Sequence, residues 1–159
     1  MQPSSDFIFK RCTARGSIDE LFSAIKKMNG KEETVQIFDS KKVISRMHLV
    51  GAYLDAVQAF NDKVNLANDL AMEMLLFASM GRQISRAIED IGAKPGKEFV
   101  LFASSSAAYS KVKKHIEKEE DFAPSEEEQM KVAEHYGIMQ KEDLDKFVLQ
   151  RMAIARIED

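Results

Sequence analysis

Few residues in this chain could do chemistry, and one short stretch gathers most of them. In Glu73-Met74-Leu75-Leu76-Phe77-Ala78-Ser79-Met80-Gly81-Arg82-Gln83-Ile84 an apolar segment runs into a glycine turn, and the turn delivers Arg82 and Gln83 at the start of a helix that carries Arg86. Amide groups at a helix N-terminus attract anions such as phosphate. Arginine adds a fork of donors, and glutamine can pair with the edge of a base. The candidate binding set is therefore Ser79, Gly81, Arg82, Gln83, Ile84 and Arg86, with weaker basic support from Lys10 and Arg11. The plainer reading is that Arg82 answers Glu73 or caps a neighbouring helix.

Other reactive residues form no set. His48, His115 and His135 fall on three different predicted helices, none with a His or Cys at a metal-ligand offset, and HExxH is absent, so no metal is expected. Ser104-Ser105-Ser106 follows a predicted strand but lacks the GxSxG frame of a nucleophile turn; helix capping explains it. Neither GxGxxG nor GxxxxGK[ST] occurs, so no nucleotide cofactor is implied. Cys12 lies in a strand pattern and reads as a small core residue. With no acid/base pair and no nucleophile with its base, the chain is expected not to be an enzyme.

The elements that must position these residues fit one domain over residues 1–159, enough chain to bury a real core. The composition, 45% hydrophobic and 31% charged with seven Gly and three Pro, excludes collagen-like and disordered classes. The longest apolar run, Met74 to Ala78, is far too short to span a membrane, and the first residues lack a signal-peptide pattern. A single cysteine fits a cytoplasmic protein, or a nuclear one if the source is eukaryotic. The net charge of −3 opposes a globally basic nucleic-acid binder, yet Glu117–Glu128 alone carries −6 and leaves the remainder at +3.

Hydrophobic spacing predicts strands at Phe7–Cys12, Thr34–Phe38, Met72–Ser79 and Glu98–Ala103, with Met72–Ser79 as the central one. Helices are expected after the capping box at Ser17–Glu20, stopped by Asn29-Gly30, then from Ser45 to about Phe60 and from Ile84 to Ile91. Three more are expected: from Ser104–Ser106 to about Glu119, from the capping box at Ser125–Glu128 to Gly137, and over about 141–157. The fold class is mixed α/β (α+β), with a roughly four-stranded sheet, flanking helices and a helical C-terminal layer.

Ser45-Arg46-Met47-His48-Leu49, Asn65-Leu66-Ala67, Met72 to Leu76, Ala78-Ser79, Arg82-Gln83-Ile84 and Ala87-Ile88 together resemble the kinase-binding subunit of the KEOPS tRNA-modification complex, the CGI-121-like family. The resemblance is strongest over residues 45–96. It implies a non-catalytic subunit that binds an atypical kinase/ATPase and helps recruit tRNA by its 3′ CCA end, for threonylcarbamoylation of the adenosine beside the anticodon. It leaves a homodimer open for the isolated chain. Family members read Ala-Ser-Gly-any-Arg-Gln-Ile at the turn, whereas here Met80 stands at the Gly position and Gly81 at the variable one, which predicts altered backbone angles. The alternatives are a regulatory domain binding a small anionic molecule at the same turn, and a plain protein-interaction module.

The last helix supplies the candidate partner surface. Leu144, Phe147, Val148, Met152, Ile154 and Ala155 project onto one broad face suited to the core, while Leu149, Ala153 and Ile157 form a narrower stripe. The resemblance makes the kinase the candidate partner of that stripe; the alternative is that both stripes are buried within this domain.

Overall fold

The computed structural model describes residues 6–28, 33–139 and 142–157; the Asn29-Gly30 helix stop lies outside them. Four strands, β1 (Ile8–Ala14), β2 (Val35–Asp39), β3 (Phe99–Ala103) and β4 (Ile116–Asp121), form an antiparallel sheet in the order β2-β3-β1-β4. Seven helices surround it among the described residues: α1 (Ile18–Met28), α2 (Arg46–Asn61), α3 (Leu70–Ala78), α4 (Ile84–Ile91), α5 (Ser106–Val112), α6 (Glu126–His135) and α7 (Leu144–Ile157). This is the expected α+β class.

The strand β3 is apolar on both faces because both are covered. In β3, Phe99, Leu101 and Ala103 join Val35, Ile37 and Cys12 in a core with α1 and α5, while Val100 and Phe102 join Phe38 in a larger core with α2, α3, α4, α6 and α7. Alternation along a strand sends successive side chains to opposite faces, so a continuous apolar run is what two covered faces demand.

Two elements differ from the sequence expectation. Met72–Ser79 is not the central strand; it lies in α3, seven of whose nine residues are buried. A helix buried all round and a buried strand both read as unbroken apolar runs. The distinguishing signals are local. Leu-Ala-Met-Glu-Met-Leu-Leu-Phe-Ala contains no β-branched residue, and Asp69 caps the helix by accepting the Met72 N–H at 2.8 Å. Conversely, the helix expected to reach Glu119 ends at Val112, and after a single tight turn the chain becomes β4. Ile-Glu-Lys-Glu-Glu-Asp has helix-forming residues, but pairing with β1 overrides propensity. The Lys10 ammonium meets Asp121 at 2.8 Å, and a bulge opposite Arg11–Thr13 puts Lys118 at φ 55.

A buried carboxylate ties two segments to α3. Glu73, 0% exposed, accepts from the Leu66 N–H (3.0 Å), the Ala67 N–H (2.8 Å) and Arg156 Nη1 (2.8 Å) on α7. The Arg156 guanidinium also lies over the Phe77 ring, 3.8 Å from its centroid. Glu73 is thus answered by Arg156 and two loop amides.

α7 packs along α2 where Gly51 lets the two approach. A Cβ at Gly51 would run into Leu149 Cδ2 and come within 2.9 Å of Met152 Cε. The ends of the flexible Leu149 and Met152 side chains must move aside for Gly51→Ala, a cost that alanine's ~1 kcal/mol helix advantage partly offsets, so the net loss should be about 1 kcal/mol or less. In a Leu149→Ala background the same change should become neutral or favourable. Chemical denaturation of the four proteins in this cycle measures the coupling.

Candidate nucleic-acid interface

The site is the junction between the end of α3 and the start of α4. The last four carbonyls of a helix need partners from outside the helix ladder. Here each has one. Leu75 O accepts from the Ser79 N–H at 3.0 Å, Leu76 O from the Ser79 hydroxyl at 2.6 Å, and Phe77 O from the Met80 N–H at 2.9 Å. Ala78 O accepts from His48 Nε2 at 2.9 Å.

His48 is 0% exposed. Its Nδ1 accepts from the Ile44 N–H at 3.1 Å, so the bonding assigns a neutral ring with its proton on Nε2. Burial pushes its pKa down from 6.5 to about 4, against smaller opposing effects of the Ala78 carbonyl and Asp145. Tyr136 meets the ring edge-on at 5.5 Å. As a lone helix histidine, His48 is expected from sequence to be solvent-facing or partly packed; the structure makes it fully buried, with both nitrogens bonded.

Beyond Ala78 the turn is tight. Ser79 Oγ also accepts from the Gly81 N–H at 3.2 Å. Met80 sits at φ 62, in the left-handed region where glycine is unstrained and methionine is not. Its side chain packs half-buried against the core. Gly81 lies outside that region, and a Cβ there would meet only Ser79 Oγ, at 3.5 Å. Gln83 is the N-cap of α4 yet makes no side-chain capping bond, which leaves its amide group and the first amides of α4 without that partner.

This junction borders a cleft of about 610 Å³. Of the sequence-chosen residues, Ser79, Gly81, Arg82, Gln83 and Arg86 line it, and the last three of these are exposed. Ile84 is half-buried and packs on the core, so it anchors α4. Glu89 and Asp90 form an acidic wall that sequence reasoning missed, although their i+3 and i+4 offsets from Arg86 placed them nearby. Lys10 and Arg11 are elsewhere. Lys10 pairs with Asp121, and Arg11, 3.2 Å from Glu128, lines a separate cleft with Glu98 and Lys131.

The stripe chosen on α7 divides. Leu149 is half-buried against α2, whereas Ala153 and Ile157 are exposed, Ile157 by 79%. On the face expected to be core, Leu144, Val148 and Met152 are buried, but Ile154 is 45% exposed. The exposed apolar end of α7 is therefore Ala153, Ile154 and Ile157.

Burial raises the Cys12 thiol to about 12, which removes it as a thiolate. His115 is half-buried, and His135 lies 3.4 Å from Asp90. Among the described residues no group of three His, Cys, Asp or Glu could hold a metal ion, and no helix is long and apolar enough to cross a membrane.

A helix-covered antiparallel sheet, with an arginine- and amide-lined cleft at one junction and an apolar helix end at another, has the architecture of a binding protein. Its sequence matches the kinase binding protein CGI-121 family over residues 16–156, and the chain belongs to that family. No curated protein matches it.

Two measurements check the local physics. At an ordinary position alanine is more stable than glycine, but at Met80 the order should reverse: Met80→Gly should exceed Met80→Ala in stability by about 1 kcal/mol, because both lose the side chain and only alanine keeps the left-handed strain. Stability should also fall as pH drops from about 6.5 to about 4, since over that window the unfolded His48 binds a proton that the folded one refuses. The loss is on the order of 3 kcal/mol and complete once pH is below the folded value. His48→Gln should lack this component of the pH slope while keeping that of the carboxylates.

Proposed function

We propose that this chain is a non-catalytic accessory subunit that docks on the atypical kinase/ATPase of the KEOPS complex and helps hold tRNA by its single-stranded 3′ CCA end. Membership of the kinase-binding family supports the first part. The observation that carries the second is the cleft at the α3–α4 junction, where Arg82, Gln83 and Arg86 stand beside the uncapped start of α4.

The chemistry suits a strand end better than a duplex. Arginines and helix-start amides take phosphate, whose contacts fix the strand without reading it. An exposed glutamine can bond a base edge, and carboxylates such as Glu89 and Asp90 can accept from the amino group of cytosine. The same acidic wall repels a continuous run of phosphates. Single-stranded RNA, with its base edges unpaired, offers both kinds of group at once. For the kinase, the exposed end of α7 at Ala153, Ile154 and Ile157 supplies an apolar patch, with Arg151 beside it as part of a polar rim.

The test uses the full chain, the kinase subunit and tRNA with and without its terminal CCA. Wild type should bind intact tRNA in a salt-dependent manner and lose most of that binding when CCA is removed. Arg82→Ala should weaken binding by about 1–3 kcal/mol, the usual value of one charged contact. Ile157→Arg should abolish co-purification with the kinase while leaving melting temperature and tRNA binding unchanged. Equal binding of tRNA with and without CCA would overturn the RNA reading. Binding of a free nucleotide in place of tRNA would favour a small-molecule site, and kinase capture by Ile157→Arg would move the docking surface elsewhere.

A further inference from the structure

The carbonyl of Ala78 is the last backbone acceptor of α3, and only Ser79, Met80 and Gly81 separate it from Arg82. The three preceding carbonyls are met from within the same segment, by the Ser79 amide, the Ser79 hydroxyl and the Met80 amide. Ala78 O is met from α2, by His48 Nε2 at 2.9 Å. The next residue but one, Met80, holds a left-handed conformation that a methionine does not choose alone. Such a conformation persists only where its surroundings over-determine it.

We propose that His48 is a positioning residue of the Arg82 cleft: by gripping the Ala78 carbonyl it fixes the strained turn and so sets the direction in which Arg82 and Gln83 leave the protein. This rests on reading the cleft as the RNA-end site.

The grip is rigid because the ring cannot move. Its second nitrogen is occupied by the Ile44 N–H at 3.1 Å, and Tyr136 packs edge-on against it. Tyr136 is itself tied down through its hydroxyl, which donates to Lys42 O at 2.5 Å. At the N-terminus of the same helix, the Ser45 hydroxyl accepts the His48 N–H and donates to Asp145 Oδ1 at 2.6 Å. The turn is thus referred to the packed body of α2 and α7 and not to a surface loop. Losing the bond would cost binding without removing any group that touches RNA, because the backbone of the Met80–Gln83 turn would then sample several conformations and the ordering cost would fall on the binding step.

Two substitutions separate the ring's two bonds. In His48→Gln the amide reaches as far as Nε2 and can still donate to Ala78 O, while the acceptor for Ile44 is lost. In His48→Asn the amide sits where Nδ1 was, so the Ile44 bond is kept and the Ala78 bond is lost. Both variants lose stability, so affinity for CCA-ended tRNA is measured per folded molecule, together with hydrogen exchange at the Gly81, Arg82 and Gln83 amides. His48→Asn should bind about tenfold more weakly, the factor for ~1.4 kcal/mol, with faster exchange at those three amides. His48→Gln should stay close to wild type in both. If His48→Asn fails to fold, His48→Phe, which fills the ring's space without a donor, takes its place.

A purely structural role predicts equal affinity per folded molecule in both variants, and that result overturns the proposal. So does an equal loss in both. If wild-type protein does not distinguish the CCA end, it is the RNA reading that fails, and the exchange rates at Gly81–Gln83 still decide the positioning role.

Discussion

A glutamate in the middle of a helix that is otherwise apolar has to be answered, because an unpaired buried carboxylate costs several kcal/mol. Glu73 is answered three times, by the amides of Leu66 and Ala67 and by Arg156. Each answer places a segment. The amides bind the irregular chain between α2 and α3 against the helix it leads into. Arg156 draws in the last turn of α7 and spreads its guanidinium over Phe77. Charge-assisted bonds of this kind are short and directional, so they set register where apolar contact alone would allow sliding. The attachment of α3 to the loop before it and to the last turn of α7 runs through this one side chain.

The sheet contributes by being closed to partners. An edge strand normally presents unpaired amides and carbonyls to any passing chain. On β2 the Gln36 side chain lies along the edge, where Oε1 accepts the Ile37 N–H at 2.9 Å and Nε2 donates to Ala71 O at 2.8 Å. On β4 the edge is charged and bulged, with Glu119, Glu120 and Asp121 exposed. Neither edge favours strand addition. The exposed binding features of the fold are then helix ends and helix faces, among them the cleft at α4 and the apolar end of α7.

How much of this could be read in advance depends on how local the physics is. The capping box Ser125–Glu128 is complete in a four-residue window, and the structure has both of its bonds. Ser45 at the start of α2 was equally legible. The helix α3 was mistaken for a strand because hydrophobicity dominated the reading, while the information lay in Asp69 and in the lack of β-branched residues. β4 was missed for the opposite reason: its charges satisfy a helix rule, and its strand exists through pairing with β1 more than a hundred residues earlier in the chain. At the site, the residue types and the turn were visible, and five of the six chosen residues share one cleft. What no spacing could show is that His48 reaches Ala78, thirty residues away, or that Glu73 belongs to Arg156 and not Arg82.

These long-range bonds give α3 a mechanical role. Glu73 and, one turn further on, Phe77 hold Arg156, next to the exposed Ile157 of α7; Ala78, the neighbour of Phe77, is gripped by His48, just before the turn to Arg82. Glu73 and Ala78 are five residues apart, about 7.5 Å along the helix axis at 1.5 Å per residue. α3 is buried along nearly its whole length and is bonded to α7 at Glu73 and to α2 at Ala78, so the apolar end of α7 and the α4 cleft are both referred to one buried helix. A partner on one surface and a ligand on the other would then meet at a fixed separation and angle. A kinase-binding protein can contribute through geometry of that kind, and here the geometry traces to one buried glutamate and one buried histidine.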